Sequence, residues 1–374
     1  MSTGPGDVLI TGATGFVGME LLARYLERGD RGIVALVRAR DDTAAGARLD
    51  AVLANLFGAR GTQHRRRVQA FAADLTAPGL GLSPQRRERL ARRVSTIIHG
   101  AASISFTLPL AEARAINVDG TRRVLEFAEA ARACGGLERY GHVSTAYVAG
   151  THDGRFAESD LDLGQTFHNS YERSKFESEQ LVRTHDDLPF TILRPSIVVG
   201  DRCSGWTSAF NVLYWPLRAF ARGLFTAVPG IPSAPVDVVS VDYVADAIHE
   251  LCESGGGIGE TYHLTAGQNA STIGEIAQLA SRYFRRPLPE VLAPDDFAAL
   301  AGGGVADSAL QASRAYFPYF SIGTVFQSDA TCARLEPAGI RVWPLRDYLE
   351  RLLDFATRSR WGKRPISRSD AILV

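Results

Sequence analysis

Residues 8–18 read VLITGATGFVG, an apolar run that stops at three glycines, Gly12, Gly15 and Gly18, set three apart. An apolar run ending in such a triplet is what a strand needs to turn tightly into a helix. Gly12 permits the turn, Gly15 lets backbone amides approach a pyrophosphate at the helix N-terminus, and Gly18 lets that helix lie close to the strand. A glycine triplet alone is weak in a chain of 36 glycines. Its place on the first strand and first helix gives it weight as a dinucleotide-binding turn.

Outward from this turn, short β-rich runs alternate with stretches of helical period: Val8 to Thr11, Gly32 to Arg38, Val68 to Ala72, Thr96 to His99, Gly141 to Ser144 and Phe190 to Leu193. The alternation predicts an α/β fold, a Rossmann-type doubly wound parallel sheet. Between strands, Ser83 and Pro84 open QRRERLARR, a helix with Leu90 and Val94 expected to face inward. An alanine-rich stretch, Leu110 to Cys134, predicts one long helix. Beyond Gly200 the alternation fades into glycine, proline and aromatic residues, predicting a smaller mixed α/β C-terminal substrate domain over the sheet's carboxyl edge. The expected division is 1–200 for the dinucleotide-binding domain, with 236–256 returning to it. Residues 201–235 and 257–374 form the second domain and a poorly ordered tail, SRSDAILV.

The second strand of such a fold ends in the group that reads the adenosine ribose, about 20 residues past the glycines. Twenty residues past Gly18 stands Arg38, whose guanidinium fork suits a 2′-phosphate. Arg48, ten residues on in a helical stretch, supplies a second such group. Asp41 and Asp42 come too late for the strand end, so the pattern favours NADPH over NADH.

Twenty-six residues after Thr145 in HVSTAYV comes NSYERSKFESE, with Tyr171 and Lys175 four apart and therefore on one helix face. A tyrosine donates a proton readily once its pKa of about 10 falls. A cation about 4 Å away at an effective dielectric near 20 contributes roughly 4 kcal/mol, or about 3 pKa units. Lys175 is expected to supply that charge and to bind the nicotinamide ribose, while Thr145 offers a hydroxyl to the substrate oxygen.

Composition closes off other classes. Across 374 residues the 41 cationic side chains balance 41 acidic ones, leaving no surplus to hold a nucleic acid or an anionic membrane. Four scattered cysteines without a CxxC pair suggest neither a disulfide framework nor a zinc site. The start lacks a signal peptide and no stretch is clean enough to span a membrane, so a cytoplasmic setting is expected. Only Lys175 and Lys363 are lysines, so 39 of the 41 cations are arginines. In a chain this averse to lysine, Lys175 in the motif stands out.

TGATGFVG, STAYV, YERSK and LRPSIVVG together resemble the extended short-chain dehydrogenases/reductases. Within them HGAASISFTLPLAEARAINVDGTRRVLEFA, HVSTAYVAG and RPSIVVGDRCSGWT are most similar to the thioester reductases: fatty acyl-CoA reductases and the terminal reductase domains of carboxylic acid reductases and of peptide and polyketide synthases. The resemblance covers about residues 7 to 260 well and the rest loosely. It implies catalytic Thr145, Tyr171 and Lys175, the last two also touching cofactor, and pyrophosphate contacts from Thr14, Gly15, Phe16 and Val17. Arg38 and Arg48 would hold the 2′-phosphate, and Asp74 and Leu75 would flank adenine. Ala101, Ala102 and Ser103 would line the cofactor, as would Ser144, with Pro195, Ser196, Ile197 and Val198 beside the nicotinamide. Asn117 falls where the superfamily keeps a helix asparagine, either a proton relay or a buried hydrogen bond fixing the helix.

The resemblance implies NADPH-dependent reduction of an acyl thioester, on CoA or delivered by a separate carrier protein, to an aldehyde or, with a second hydride, to an alcohol. Ala146-Tyr147 replace the acidic pair of sugar dehydratases. The competing readings are an extended reductase or epimerase acting on a ketone, a sterol-like alcohol or a nucleotide sugar, and a non-catalytic NADP(H)-binding sensor. The apolar segment Trp206 to Val228 reads either as an acyl channel or as core.

Overall fold

The computed structural model describes residues 6–223, 227–293, 296–297 and 314–372. Its centre is a parallel sheet of seven strands: β1 (Asp7–Thr11), β2 (Ile33–Val37), β3 (Val68–Ala72), β4 (Val94–His99), β5 (Arg139–Val143), β6 (Phe190–Pro195) and β7 (Thr261–Leu264). Their spatial order is β7-β6-β5-β4-β1-β2-β3, with Leu9 beside Val34 on one side and Ile97 on the other. The order reverses between β1 and β4, which opens a crevice at their carboxyl ends.

Strand side chains alternate between two cores. Val8, Ile10, Ala35 and Val37 face helices α1 (Phe16–Arg28) and α2 (Asp42–Phe57). Leu9, Val34, Leu36 and Ile97 face the opposite layer, which includes α3 (Pro84–Ala91). With both faces covered, β2 and β4 are buried at every residue; β2 is wholly apolar, while β4 also buries Ser95, Thr96 and His99.

Four details depart from the sequence reading. Helix α3 stops at Ala91, and Val94 begins β4 instead of facing inward from the helix. The predicted long helix is divided into α4 (Leu110–Asn117) and α5 (Asp119–Ala133). Here the Thr121 hydroxyl donates to the Asn117 carbonyl at 2.6 Å, an i−4 bond of the kind that bends helices. Strand β7 lies within the stretch assigned to the second domain; its four residues, TYHL, alternate polar and apolar over too short a span to stand out.

The fourth departure is the tail, expected to be poorly ordered. Residues Arg368–Ile372 are helical, Ala371 is buried, and Arg368 Nε lies 2.6 Å from Glu20 Oε1 on α1. Glu20 is fully buried and also paired to Arg24, so the arginine has a strong reason to dock. The final two residues of SRSDAILV lie outside the described residues.

A further apolar core gathers Ile197, Val199, Leu217, Val236, Ile276 and Leu352 from the later part of the chain. It includes α7 (Tyr214–Ala221) and α9 (Ile273–Phe284), while α6 (Ser170–Arg183) and α8 (Val241–Glu253) belong against the main sheet. Among the described residues no helix is long and apolar enough to cross a membrane.

Candidate active site at the carboxyl edge of the sheet

The glycine turn is sterically obligatory. Gly12 has φ +82°, and a Cβ there would stand 2.8 Å from the Ala101 amide nitrogen. A Cβ on Gly18 would stand 2.0 Å from the Gly12 carbonyl oxygen, so α1 cannot approach β1 this closely with any other residue. Gly15 precedes α1, which has no side-chain cap and no acidic residue in its first turn. The first amides of α1, with Thr14, Phe16 and Val17 around them, are thus available to an anion. These features fit a dinucleotide.

Arg38 is exposed immediately after β2. Arg48 donates through Nη1 to the Arg38 carbonyl and through Nη2 to Thr14 Oγ1 at 3.2 Å, drawing a second guanidinium to the same loop. The nearby acids are occupied: Asp41 caps α2 by accepting from the Ala44 amide at 2.7 Å, and Asp42 accepts from the Ala72 amide at 2.9 Å. Asp74 is exposed after β3; hydrogen bonds from the Thr76 hydroxyl and amide hold its carboxyl below the usual range. Arg123 fixes the adjacent Leu75 through its carbonyl at 2.9 Å.

After β4 the Ala101 amide donates to Thr11 Oγ1 at 3.1 Å, and Ala102 and Ser103 follow, half-buried. Asn117 clamps Ser103, accepting from its amide at 2.8 Å and donating to its carbonyl at 3.0 Å; its Nδ2 also lies 2.9 Å from Ser174 Oγ on α6. Both Nδ2 hydrogens and one Oδ1 lone pair go to structural partners, so the geometry favours the helix-fixing role over a relay.

Thr145 follows β5 and caps a short turn, accepting from the Tyr147 amide at 3.2 Å and approaching the Pro195 carbonyl at 3.4 Å. Its side chain lies near enough to the Tyr171 hydroxyl to oppose the rise of that group's pKa. Tyr171 and Lys175 are one turn apart on α6, and Lys175 Nζ donates to the Val143 carbonyl at 2.8 Å. The structure therefore brings Thr145, Tyr171 and Lys175 together. Ser144 is different: its hydroxyl donates to Glu179 at 2.8 Å, tying β5 to α6.

The electrostatics differ from the expected depression of the tyrosine. Burial pushes the Tyr171 hydroxyl up to about 12; the Thr145 side chain opposes this and the Glu172 carboxylate adds to it. Burial also pushes Lys175 down to about 8, against the pull of Glu179. Desolvation dominates both groups, and the lysine is bonded beneath β5 instead of forming a close pair with the phenol.

Beside them, Pro195 ends β6 and Ile197–Val199 pairs with Val238–Ser240, so Ser196, Ile197 and Val198 stand at the edge of both regions. Asp237 accepts from the Ala266 and Gly267 amides at 2.8 and 2.7 Å, and burial pushes its carboxyl up to about 6.

Sequence reasoning missed an aromatic wall around Tyr171. Phe106 stacks on it at 5.7 Å and on Tyr319 at 5.3 Å, while Tyr147 meets Tyr319 edge-on at 5.0 Å. Tyr319 donates its hydroxyl proton to the buried Glu172, the residue after Tyr171. Phe106 and Tyr147 lie inside motifs already singled out; Tyr319, 148 residues from Tyr171, has no local signal.

The segment Trp206 to Val228 divides. Trp206 is fully buried, packs 5.8 Å from Phe16 and donates to the Ile366 carbonyl at 3.2 Å, so it is core. Leu213, Leu217, Phe220 and Val228 line an apolar cavity of about 50 Å³ with Ile276 and Phe320. Residues 224–226 lie outside the described residues.

Comparison with known proteins identifies the family and the fold. The model of an NAD-binding family described as male sterility protein matches residues 10–248. A non-canonical nonribosomal peptide synthetase of Aspergillus campestris is 30% identical over 273 residues, covering 69% of this chain and 25% of the synthetase. The carboxylic acid reductase of Mycobacterium marinum is 30% identical over 291 residues, covering 69% of this chain and 24% of the enzyme. The chain thus spans about a quarter of the length of these curated relatives. In structure it is similar to the terminal R domain from the myxalamid PKS-NRPS biosynthetic pathway, with a TM-score of 0.85 and 27% identity, covering 98% of this chain and 94% of that one.

Proposed function

The chain belongs to the male sterility protein family of NAD-binding, extended short-chain reductases, and from that premise we propose that it reduces an acyl thioester with NADPH, releasing thiol and aldehyde; a second NADPH would be needed to carry the aldehyde on to the alcohol. The observation that supports this reading is the meeting of Thr145, Tyr171 and Lys175 beside the glycine cradle, at the carboxyl edge of the sheet.

When bound, NADPH supplies the hydride. Gly12, Thr14, Gly15, Phe16, Val17 and Gly18 would hold its pyrophosphate, and Arg38 and Arg48 its 2′-phosphate. Asp74, Leu75 and Ala101 to Ser103 would flank the adenine side, and Pro195 to Val198 the nicotinamide side. The Thr145 and Tyr171 hydroxyls donate hydrogen bonds to the thioester oxygen, stabilising the negative charge that develops there. With its hydroxyl pushed up to about 12, Tyr171 keeps its proton at Oη until that oxygen takes it. The Lys175 ammonium would hold the ribose hydroxyls of the nicotinamide half. Residues 201–235 and 257–374, apart from β7, would form the substrate-binding region, with Phe106, Tyr147 and Tyr319 excluding water from Tyr171. The thioester would arrive on CoA or on a carrier protein.

The deciding experiment is an NADPH-oxidation screen of acyl-CoA and acyl-carrier substrates, run beside UDP- and dTDP-sugars and ketones, with mass analysis of the products. Aldehyde or alcohol from a thioester is the expected result. Turnover confined to sugars or ketones, or tight NADPH binding without turnover on any carbonyl, would remove the proposal.

A further inference from the structure

Beneath the carboxyl ends of β1, β4 and β5 runs a line of buried polar side chains that the chemistry above does not use. Thr11 Oγ1 lies 2.8 Å from His99 Nδ1, and His99 Nε2 lies 3.0 Å from Thr121 Oγ1. The His99 ring is 5.6 Å from that of His142, whose Nε2 is 3.5 Å from Lys175 Nζ. Tyr140 stacks on His142 at 6.5 Å. Burial, reinforced by the Lys175 charge, pushes His99 down to about 3 and His142 well below the ordinary imidazole range. Both rings are therefore neutral, each with one donor and one acceptor nitrogen.

The two histidines differ in how those nitrogens are used. His99 has an oxygen at each of them. His142 has a neighbour only at Nε2, and its Nδ1 is buried without a hydrogen-bond partner among the described residues. An orphaned buried polar atom is costly, and one retained beside a functional group calls for an explanation. The needs of Lys175 provide it. Its ammonium carries three donors and no bond to a carboxylate. The nearest acid, Glu179, is occupied by Arg194 at 2.5 Å, Arg183 at 3.1 Å and Ser144 at 2.8 Å. The Val143 carbonyl takes one donor. A second is taken by His142 only if the Nε2 lone pair is free, which places the imidazole hydrogen on the orphaned Nδ1.

We propose that His142 is a positioning residue: fixed as the neutral Nδ1–H tautomer, it uses its Nε2 lone pair to anchor the Lys175 ammonium and leaves the third N–H for the cofactor ribose. This rests on the assignment of Lys175 to the cofactor made above. A carboxylate in this place would cancel the charge that Lys175 brings, and an apolar side chain would leave a buried ammonium with a single acceptor. A neutral imidazole does neither.

The chain's composition makes the test direct. With only Lys175 and the exposed Lys363 present, lysine labelled at Cε gives two resonances in the ligand-free protein. Imidazole nitrogen shifts of the wild-type protein report the tautomer of His142 with no substitution at all. The expected results are an Nδ1–H tautomer through the neutral range and a Lys175 titration at about 8. His142→Leu lowers that titration by about one unit and weakens NADPH binding about tenfold. His142→Gln, whose amide oxygen reaches the place of Nε2, restores both. An Nε2–H tautomer in the wild-type protein overturns the proposal, as does a folded His142→Leu variant whose Lys175 titration is unchanged. If His142→Leu does not fold, the wild-type tautomer decides. These readouts are taken without substrate, so failure of the thioester assignment would leave them standing and would be recognised separately.

Discussion

Replacing Arg48 by alanine separates two jobs that one guanidinium performs. Its Nη1 and Nη2 hold the Arg38 carbonyl and the Thr14 hydroxyl, so it braces the glycine loop whatever the cofactor. Losing that brace weakens NADPH and NADH alike, by about threefold, the effect of one modest hydrogen bond. In the function proposed above the same side chain also holds a 2′-phosphate, and a charge-assisted contact at so exposed a position is worth about another tenfold. Arg48→Ala should therefore weaken NADPH about thirtyfold and NADH about threefold. Calorimetric titration of both cofactors at fixed ionic strength measures the ratio, and raised salt should narrow it by screening. Equal losses for the two cofactors would refute the 2′-phosphate assignment and leave Arg48 as a brace alone.

Tyr171→Phe removes the proton donor and leaves the glycine cradle intact; it should keep NADPH affinity within about twofold and lose at least about a hundredfold in turnover with any accepted substrate, measured by NADPH oxidation. Lys175 loses its charge as pH rises through about 8, so kcat/KM for NADPH, which reports the free enzyme, should fall on the alkaline side of that value. A flat profile up to the region of Tyr171, about 12, would show that the lysine charge is not needed. Arg368→Ala leaves the buried Glu20 with Arg24 as its close partner; a loss of ~3 kcal/mol would lower Tm by about 4 °C for a chain of this size, read by thermal denaturation.

The sheet was readable because its physics is local. Strands β1 and β2 announce themselves as apolar runs and β3 to β6 as short β-rich runs bounded by turns; Gly15 and Gly18 answer to near neighbours in the chain, whereas Gly12 is also pressed by Ala101 at the end of β4. β7 was hidden because TYHL is short and interrupted, and its burial comes from lying beside β6. The helix division at Val118 depends on one threonine hydroxyl, and the docked tail on an arginine whose partner, Glu20, is 348 residues away. Within the site, Tyr171, Lys175 and Thr145 are legible as residue types at a spacing. Their protonation was not, because burial outweighs the pairwise charge and burial is a property of the folded surroundings. The Tyr319 contact with Glu172 is illegible for the same reason.

Strand β7 also limits how this architecture can be recombined. The chain leaves the sheet after β6, passes through the apolar core built on Leu217 and Val236, returns for β7, and leaves again before Tyr319 reaches Glu172. A graft that exchanged everything after residue 257 would carry off the edge strand and the hydroxyl bonded to Glu172, the residue after Tyr171. Swapping substrate regions between relatives is thus a problem of several cuts, each falling at a crossing, with Phe106 and Glu172 in the retained part matched to the incoming aromatic residue.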